Sequence, residues 1–273
     1  MESKRVLYVS QEIHPFLPEN EISKPSLVLP KKMNTKSNQV RVFMPRYGLI
    51  NERRHQLHEV IRLSGINIII NDMDQPLIIK VASIPQARMQ VYFIDNEEFF
   101  KRKATFYDAK GNFFDDNDQR AVFFCRGVIE TVKKLGWSPN IIHCHGWMAG
   151  FLPLYLKQFH HDDPLFAESK IVMSVYNHKE ETFPATLTDT LSFDGVPKEE
   201  VDNYTDATIS DVYRHAFKHV DGLILNGSEK MDNSLKEMAN NSVNNLLELN
   251  GEEDFATLVK DFYERITEEE PVV

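Results

Sequence analysis

Two histidines and a tryptophan stand close together in the stretch "PNIIHCHGW", where a predicted strand ends. His143 and His145 are two residues apart, so on a strand both side chains point to the same side of the sheet. Such a pair could bind a metal ion, line a polar substrate pocket, or join the hydrogen bonds that close the end of the sheet. Because no further Cys, His or Asp follows at a matching spacing, we predict no metal site, and the other two roles stay open.

Alternating strands and helices are predicted to position these residues. Five apolar segments have the composition of buried strands, namely Arg5–Ser10, Gln39–Pro45, Asn140–His145, Ser169–Asn177 and Asp221–Gly227. From residue 140 onwards these strands alternate with helical segments, which indicates a doubly wound parallel sheet.

Ligands bind doubly wound sheets at the carboxyl ends of the strands. Two such ends supply the candidate pocket residues, which are His143, His145, Trp147, Tyr176 and Asn177. No catalytic residue is assigned among them.

Three strand-like segments, "INIII", "PLIIKVASI" and "MQVYFID", follow one another without helices, which predicts an antiparallel β-hairpin excursion. The longest predicted helix, Asp118–Leu135, has apolar residues at three- and four-residue spacings, with Cys125 among them, and ends at Gly136. Asp116 and Gln119 have the separation of a capping box. We therefore predict an α/β fold, with a Rossmann-like doubly wound sheet that is mostly parallel, a β-hairpin excursion and C-terminal helices.

A helical acidic extension is predicted at residues 231–273, which leaves residues 1–230 as the Rossmann-like domain. Its helices are expected at about Glu229–Asn240 and Asp254–Ile266, and the second one carries an apolar stripe. We expect this stripe to pack back onto the domain, because an exposed stripe of this size favours aggregation. Docking of a protein partner through these helices is the alternative.

Composition and charge exclude several classes of protein. The chain has 273 residues, a net charge of −10 and two cysteines. An acidic chain without a dense basic stripe argues against nucleic-acid binding, and two cysteines exclude a disulfide scaffold. No apolar run is long enough for a signal peptide or a membrane span, and no glycine-rich cofactor motif occurs. We expect a cytoplasmic protein without a cofactor.

The loop after the first strand, "EIHPFLPENEIS", contains no glycine. In α/β domains this loop often approaches a phosphate, and glycine allows its backbone to do so. Here the positions are Pro18, Glu19, Asn20 and Glu21, two of them carboxylates. Coulombic repulsion predicts that this loop disfavours a bound diphosphate.

Several motifs together resemble one family. "PNIIHCHGWMAGFLPLYL" is similar to "PDVVHAHDWHxxLxPxYL" of the bacterial and plant starch/glycogen synthases, the ADP-glucose glucosyltransferases. "QVYFIDNEEFFKR", "DDNDQRAVFFCRGVIE" and "SKIVMSVYN" resemble further segments of that family in the same order, and the resemblance covers about Arg5 to Glu229. It implies one half of a GT-B fold, in which the N-terminal domain holds the glucan acceptor and a second domain holds most nucleotide-sugar contacts. This chain carries material for the first domain only.

The family's charged motif positions are changed here. Its "K-T-G-G-L" loop corresponds to the stretch from Pro18 to Ile22, so Glu19 and Glu21 stand in a loop that would otherwise carry a lysine and paired glycines. Gly146 replaces an aspartate, and Tyr176 replaces a histidine that contacts the donor glucose.

Three hypotheses follow from the resemblance and the changed positions. The chain is a glucosyltransferase half that needs a second domain and binds α-glucan or ADP-glucose weakly. Alternatively it is a non-catalytic relative that binds a glucan, a metabolite or a protein. The third hypothesis is a different enzyme with a site rebuilt around His143 and His145.

Overall fold

In the computed structural model, which describes residues 4–268, ten strands form the sheet and helices cover its faces. The strands are β1 (Arg5–Ser10), β2 (Gln39–Pro45), β3 (His58–Glu59), β4 (Ile66–Ile70), β5 (Met73–Ile84), β6 (Met89–Asp95), β7 (Ile141–His145), β8 (Lys170–Tyr176), β9 (Gly222–Asn226) and β10 (Leu246–Leu249). The helices are α1 (Pro25–Met33), α2 (Glu52–His55), α3 (Glu97–Phe100), α4 (Asn117–Leu135), α5 (Leu152–Phe159), α6 (Thr186–Phe193), α7 (Lys198–Val201), α8 (Ile209–Ala216), α9 (Asn233–Ser242) and α10 (Phe255–Glu268).

The sheet is parallel over seven strands in the order β10-β9-β8-β7-β1-β2-β6. Antiparallel β5 and β3 extend it beyond β6, and β4 pairs with β5. The predicted mostly parallel sheet with a hairpin excursion is therefore confirmed. Because β1 lies between β2 and β7, the strand order reverses there, and a crevice is expected at the carboxyl ends of β1 and β7.

The two faces of the sheet are covered by different helices. Ser10 Oγ lies 2.8 Å from Ser26 Oγ of α1, and the Tyr263 hydroxyl of α10 donates to the Tyr8 hydroxyl over 3.2 Å. Side chains alternate along a strand, so Cys144 points away from α1 and α10, and it is fully buried. On that opposite side α4 packs against β2 and β6 and fully buries Cys125, the core thiol predicted from the sequence.

Local interactions shift several predicted boundaries. The sequence predicts the first helix near Glu21–Ser37, with Pro25 tolerated in its first turn, whereas in the structure this helix spans only Pro25–Met33. The capping box predicted for α4 is wrong, since the Asp116 carboxylate is bound by Arg102 and makes no cap hydrogen bond.

The segment predicted as a helical extension also contributes a strand, since β10 pairs in parallel with β9, and its residues 269–273 lie outside the described part of the chain. The helix α10 packs its apolar stripe back onto the domain, as expected, and fully buries Val259, Phe262 and Ile266. Among residues 4–268, none of the helices is both long and apolar enough to cross a membrane.

Candidate functional site

His143 and His145 lie on β7, on the face of the sheet that α1 and α10 cover. Their rings are 3.9 Å apart between centroids, and both side chains are fully buried. His143 Nδ1 lies 2.5 Å from the Tyr263 hydroxyl of α10, and its Nε2 lies 2.8 Å from Ser174 Oγ on the neighbouring strand. His145 Nδ1 lies 2.7 Å from the Tyr176 hydroxyl. Three of the five predicted pocket residues, His143, His145 and Tyr176, therefore contact one another inside the protein.

Burial controls the charge of both histidines. It lowers the pKa of His145 to about 3, and burial next to His145 lowers the pKa of His143 well below its usual range. Both imidazoles are therefore neutral near neutral pH. His145 Nε2 has no hydrogen-bond partner within residues 4–268. Across the same residues, no group of three or more His, Cys, Asp or Glu side chains is placed to hold a metal ion.

Trp147 lies in a short 3₁₀ turn after β7 and belongs to an aromatic cluster at the carboxyl edge. Its ring centroid is 5.0 Å from that of Phe106, 5.7 Å from Phe113 and 5.5 Å from Phe183. Trp147 is buried, but Phe113 is only partly buried.

The partly exposed Tyr107 extends this cluster, with its ring 5.6 Å from that of Phe113. The Lys179 ammonium lies 5.1 Å from the Tyr107 ring centroid and is paired with Glu181. The sequence alone does not assign these rings to the site. The strand ends thus offer partly exposed aromatic faces.

Asn177 follows β8 and is half-buried. Its side-chain amide donates to the carbonyl oxygen of Gly227 over 3.3 Å, and so links the end of β8 to the turn after β9. This hydrogen bond fixes two strand ends relative to each other.

The loop after β1 is ordered by its own hydrogen bonds. Asn20 Oδ1 accepts from the backbone N–H groups of Ile22 at 2.9 Å and Ser23 at 2.7 Å, and Ser23 Oγ donates to the Pro18 carbonyl at 2.8 Å. Glu19 pairs with Lys24 at 3.1 Å, with 55% of the Glu19 side chain and 59% of the Lys24 side chain exposed.

The same loop presents its carboxylates to solvent, because Glu21 is exposed as well. Beneath it, Glu12 is almost fully buried and accepts a hydrogen bond from Asn20 Nδ2. Burial raises the pKa of Glu12, and the bond from Asn20 partly offsets this rise.

Arg120 is a buried cation near this edge that sequence reasoning missed. Its Nε donates to the Phe99 carbonyl over 2.8 Å and its Nη1 to Asn117 Oδ1 over 2.5 Å, whereas Nη2 has no partner within the described part of the chain. Burial lowers the pKa of Arg120 to about 10, so the side chain remains charged at neutral pH. Full burial keeps this charge out of contact with solvent. The position of Arg120 in a predicted helix does not indicate that its side chain would be buried.

Gly146 occupies the position at which the resembled motif carries an aspartate. Its φ of 82° is left-handed, which favours glycine. The Gln11 side chain fills the adjoining space, because a Cβ at residue 146 would lie 2.3 Å from Gln11 Oε1. That oxygen also accepts from the backbone N–H of Met148 over 3.3 Å. Gln11 thus occupies the space that a larger side chain at 146 would need.

Comparison with known proteins identifies relatives across most of the chain. The family model described as the starch synthase catalytic domain matches residues 5–226. The glycogen synthase of Chlorobium limicola is 40% identical over 174 residues, which are 63% of this chain and 36% of that protein. The glycogen synthase of Chlorobaculum tepidum is 37% identical over 183 residues, or 66% of this chain and 38% of that protein. The chain therefore spans little more than a third of these curated relatives.

A solved structure shows the same fold. The catalytic domain of starch synthase IV from Arabidopsis thaliana, bound to ADP and acarbose, superposes with a TM-score of 0.72 over 90% of this chain and 52% of that one. The two sequences are 16% identical over the match. The likeness shows that the sheet and its helices share the fold of about half of that catalytic domain.

Proposed function

Because the chain belongs to the starch synthase catalytic-domain family, we propose that it binds an α-1,4-glucan at the carboxyl edge of its sheet. In this proposal the chain alone does not transfer glucose, and transfer from ADP-glucose requires a second Rossmann-like domain. The supporting observation is the chemical character of this edge, which has both partly exposed aromatic rings and a loop that bears carboxylates. That surface suits a neutral sugar better than a diphosphate.

The loop after β1 carries the electrostatic part of the proposal. Glu19 and Glu21 are exposed in the loop where the relatives' motif has a lysine and glycines. Lys24 pairs with Glu19 and so balances part of this charge, but Arg120 is enclosed and Lys179 is paired with Glu181. A diphosphate at this edge would meet negative charge.

The aromatic rings carry the glucan part of the proposal. Tyr107 and Phe113 present partly exposed faces next to the buried Trp147. Apolar faces of this kind pack against the C–H faces of sugar rings, and nearby polar groups orient the hydroxyls. A rebuilt catalytic site at His143 and His145 has no comparable support, because both imidazoles are enclosed and hydrogen-bonded.

We also propose a cytoplasmic location for the chain. Cys125 and Cys144 are free thiols and are buried in the core, which suits a reducing compartment. A protein partner at the C-terminal helices would have to use side chains such as Leu258, which is 40% exposed on α10.

Calorimetric titration with maltoheptaose tests the proposal. The Tyr107→Ala variant should weaken binding about three- to tenfold, because one aromatic face is lost. The matched control is Phe193→Ala, which removes a half-exposed aromatic ring on α6 outside the Tyr107 cluster and should leave the affinity unchanged.

Incorporation of labelled glucose from ADP-glucose into glycogen tests the second half of the proposal. The isolated chain should incorporate none. Intrinsic transfer by the chain alone would overturn the proposal, as would maltoheptaose binding that is equally insensitive to both variants.

A further inference from the structure

A cavity lies at the opposite edge of the sheet from the candidate site. Its volume is about 430 Å³, and it is bordered by the loop after α1, the amino end of β2 and the turn that leads into β6. Strand β2 has seven residues, so this cavity lies roughly 20 Å from the carboxyl edge. Its size falls within the range of small-molecule sites, about 300–1,000 Å³.

The lining of this cavity is cationic in an otherwise acidic protein. Lys36, Arg41 and Arg88 line it, and no Asp or Glu among residues 4–268 does. The net charge of the chain is −10, so three cations without a lining carboxylate depart from its general character. An anion that enters the cavity would be attracted by these three cations and would meet no carboxylate in the described lining.

Arg41 is the fixed part of this arrangement. Its guanidinium carbon lies 4.8 Å from the centroid of the Trp137 ring and 6.0 Å from that of Tyr92, so aromatic faces hold the group in place. Arg41 Nη1 is buried and has no hydrogen-bond partner in the described part of the chain. Partial burial lowers the pKa of Arg41, the nearby Tyr92 partly offsets this effect, and the nearby Arg62 lowers the pKa further.

Neutral donors complete the cavity. Asn38 Oδ1 accepts from the backbone N–H of Lys4 at 3.1 Å, and Gln39 Oε1 accepts from Trp137 Nε1 at 3.1 Å. Each side chain therefore retains an amide NH₂ group that can donate to a ligand oxygen. Asn34 Nδ2 donates to the Arg88 carbonyl over 3.0 Å and ties the loop after α1 to the turn before β6.

The carbonyl end of α1 also lies beside this cavity, and a helix carbonyl end disfavours anions. Lys31 and Lys32 occupy the last turn of α1 and offset that effect. The backbone N–H of Asn34 donates to the Pro30 carbonyl over 2.9 Å, which satisfies one of the terminal carbonyls. The charged side chains that line the cavity itself are all cations.

We propose that this cavity binds a small phosphate monoester, with the phosphate held by Arg41, Arg88 and Lys36. Guanidinium groups match phosphate oxygens with paired N–H donors, and three cations suit a dianion better than a single carboxylate. The cavity is larger than a bare phosphate requires, so the amide groups of Asn38 and Gln39 would contact a polar body attached to it. The site is separate from the carboxyl edge and does not depend on whether that edge binds glucan.

Calorimetric titration of the full chain with ribose 5-phosphate, inorganic phosphate and ribose tests this proposal. Ribose 5-phosphate should bind most tightly, inorganic phosphate more weakly, and ribose not at all. Arg41→Met keeps most of the apolar packing on Trp137 and removes the charge, and Arg88→Gln changes an exposed side chain with little risk to folding. Each variant should weaken ribose 5-phosphate binding by at least about tenfold.

The matched control is Arg53→Gln, which removes an exposed cation on α2 outside the cavity lining and should leave binding unchanged. Absence of phosphate binding by the unmodified chain would overturn the proposal. So would binding that Arg88→Gln leaves intact, or binding that Arg53→Gln weakens equally. If inorganic phosphate bound more tightly than ribose 5-phosphate, the cavity would not recognise the organic part of a phosphate monoester. That result would contradict the proposed ligand class.

Discussion

Acid should destabilise this protein through the two buried histidines on β7. In the unfolded chain each histidine takes up a proton with a pKa of about 6.5. In the folded chain burial lowers the pKa of His145 to about 3 and that of His143 well below its usual range. The folded state therefore binds fewer protons, and the stability that these residues contribute is present above about pH 6.5 and is lost as the pH falls towards the folded pKa values.

The size of this loss follows from proton linkage. One proton bound only by the unfolded state costs about 1.4 kcal/mol per pH unit. Between about pH 7.5 and about pH 5.5, an unfolded histidine goes from roughly one-tenth to roughly nine-tenths protonated, so each residue should lose about 1.4 kcal/mol and the pair about 3 kcal/mol. Asp118 acts in the opposite sense, since burial raises its pKa to about 6, so only a comparison with a variant isolates the histidines.

Urea unfolding at these two pH values measures the effect. The double variant His143→Gln/His145→Gln should be less stable at the higher pH because hydrogen bonds to Tyr263 and Tyr176 change. Its further loss of stability at the lower pH should be about 3 kcal/mol smaller than that of the unmodified chain. His161→Gln is the control, because 64% of that side chain is exposed, and it should leave the pH dependence unchanged. Equal losses in the unmodified chain and the double variant would refute this account of the buried pair.

Three further changes test other parts of the structure. The charge reversal Glu19→Lys/Glu21→Lys should raise ADP-glucose affinity at low salt, and the gain should disappear at high salt; a gain that persists at high salt would contradict the electrostatic explanation. Gly146→Asp should lower the free energy of unfolding by more than about 2 kcal/mol in urea, since the left-handed backbone and Gln11 both oppose it. Adding Gln11→Ala should recover part of that loss, and no recovery would mean that Gln11 is not the obstacle. Tyr263→Phe should cost about 1–2 kcal/mol in the same assay, because its hydroxyl has two buried partners, and an unchanged midpoint would argue against those hydrogen bonds.

The regular part of the fold could be predicted from the sequence. The predicted strand Gln39–Pro45 has the same bounds in the structure, and the predicted helix Asp118–Leu135 differs from α4 by one residue. Both segments have long, strongly periodic apolar patterns, which are set by burial within the segment itself. The family resemblance, carried by motifs in a fixed order, is confirmed by the match over residues 5–226.

Features that depend on distant contacts could not be predicted. Strand β10 has only four residues, within an asparagine-rich polar stretch, and it forms because β9 offers an open edge. The hydrogen bond between His143 and Tyr263 joins residues 120 positions apart, so the sequence could not choose between a pocket and a structural role for the histidines. The burial of Arg120 depends on several loops that meet at the carboxyl edge, and no local sequence pattern predicts it.

Parallel calorimetric titrations with ADP-glucose and with maltoheptaose measure which of the two ligands the carboxyl edge of the sheet binds. We expect heat of binding for maltoheptaose and a flat trace for millimolar ADP-glucose, because the loop with Glu19 and Glu21 repels a diphosphate and the aromatic edge accepts a neutral glucan. Saturable ADP-glucose binding by the isolated chain, with no response to maltoheptaose, would contradict this expectation.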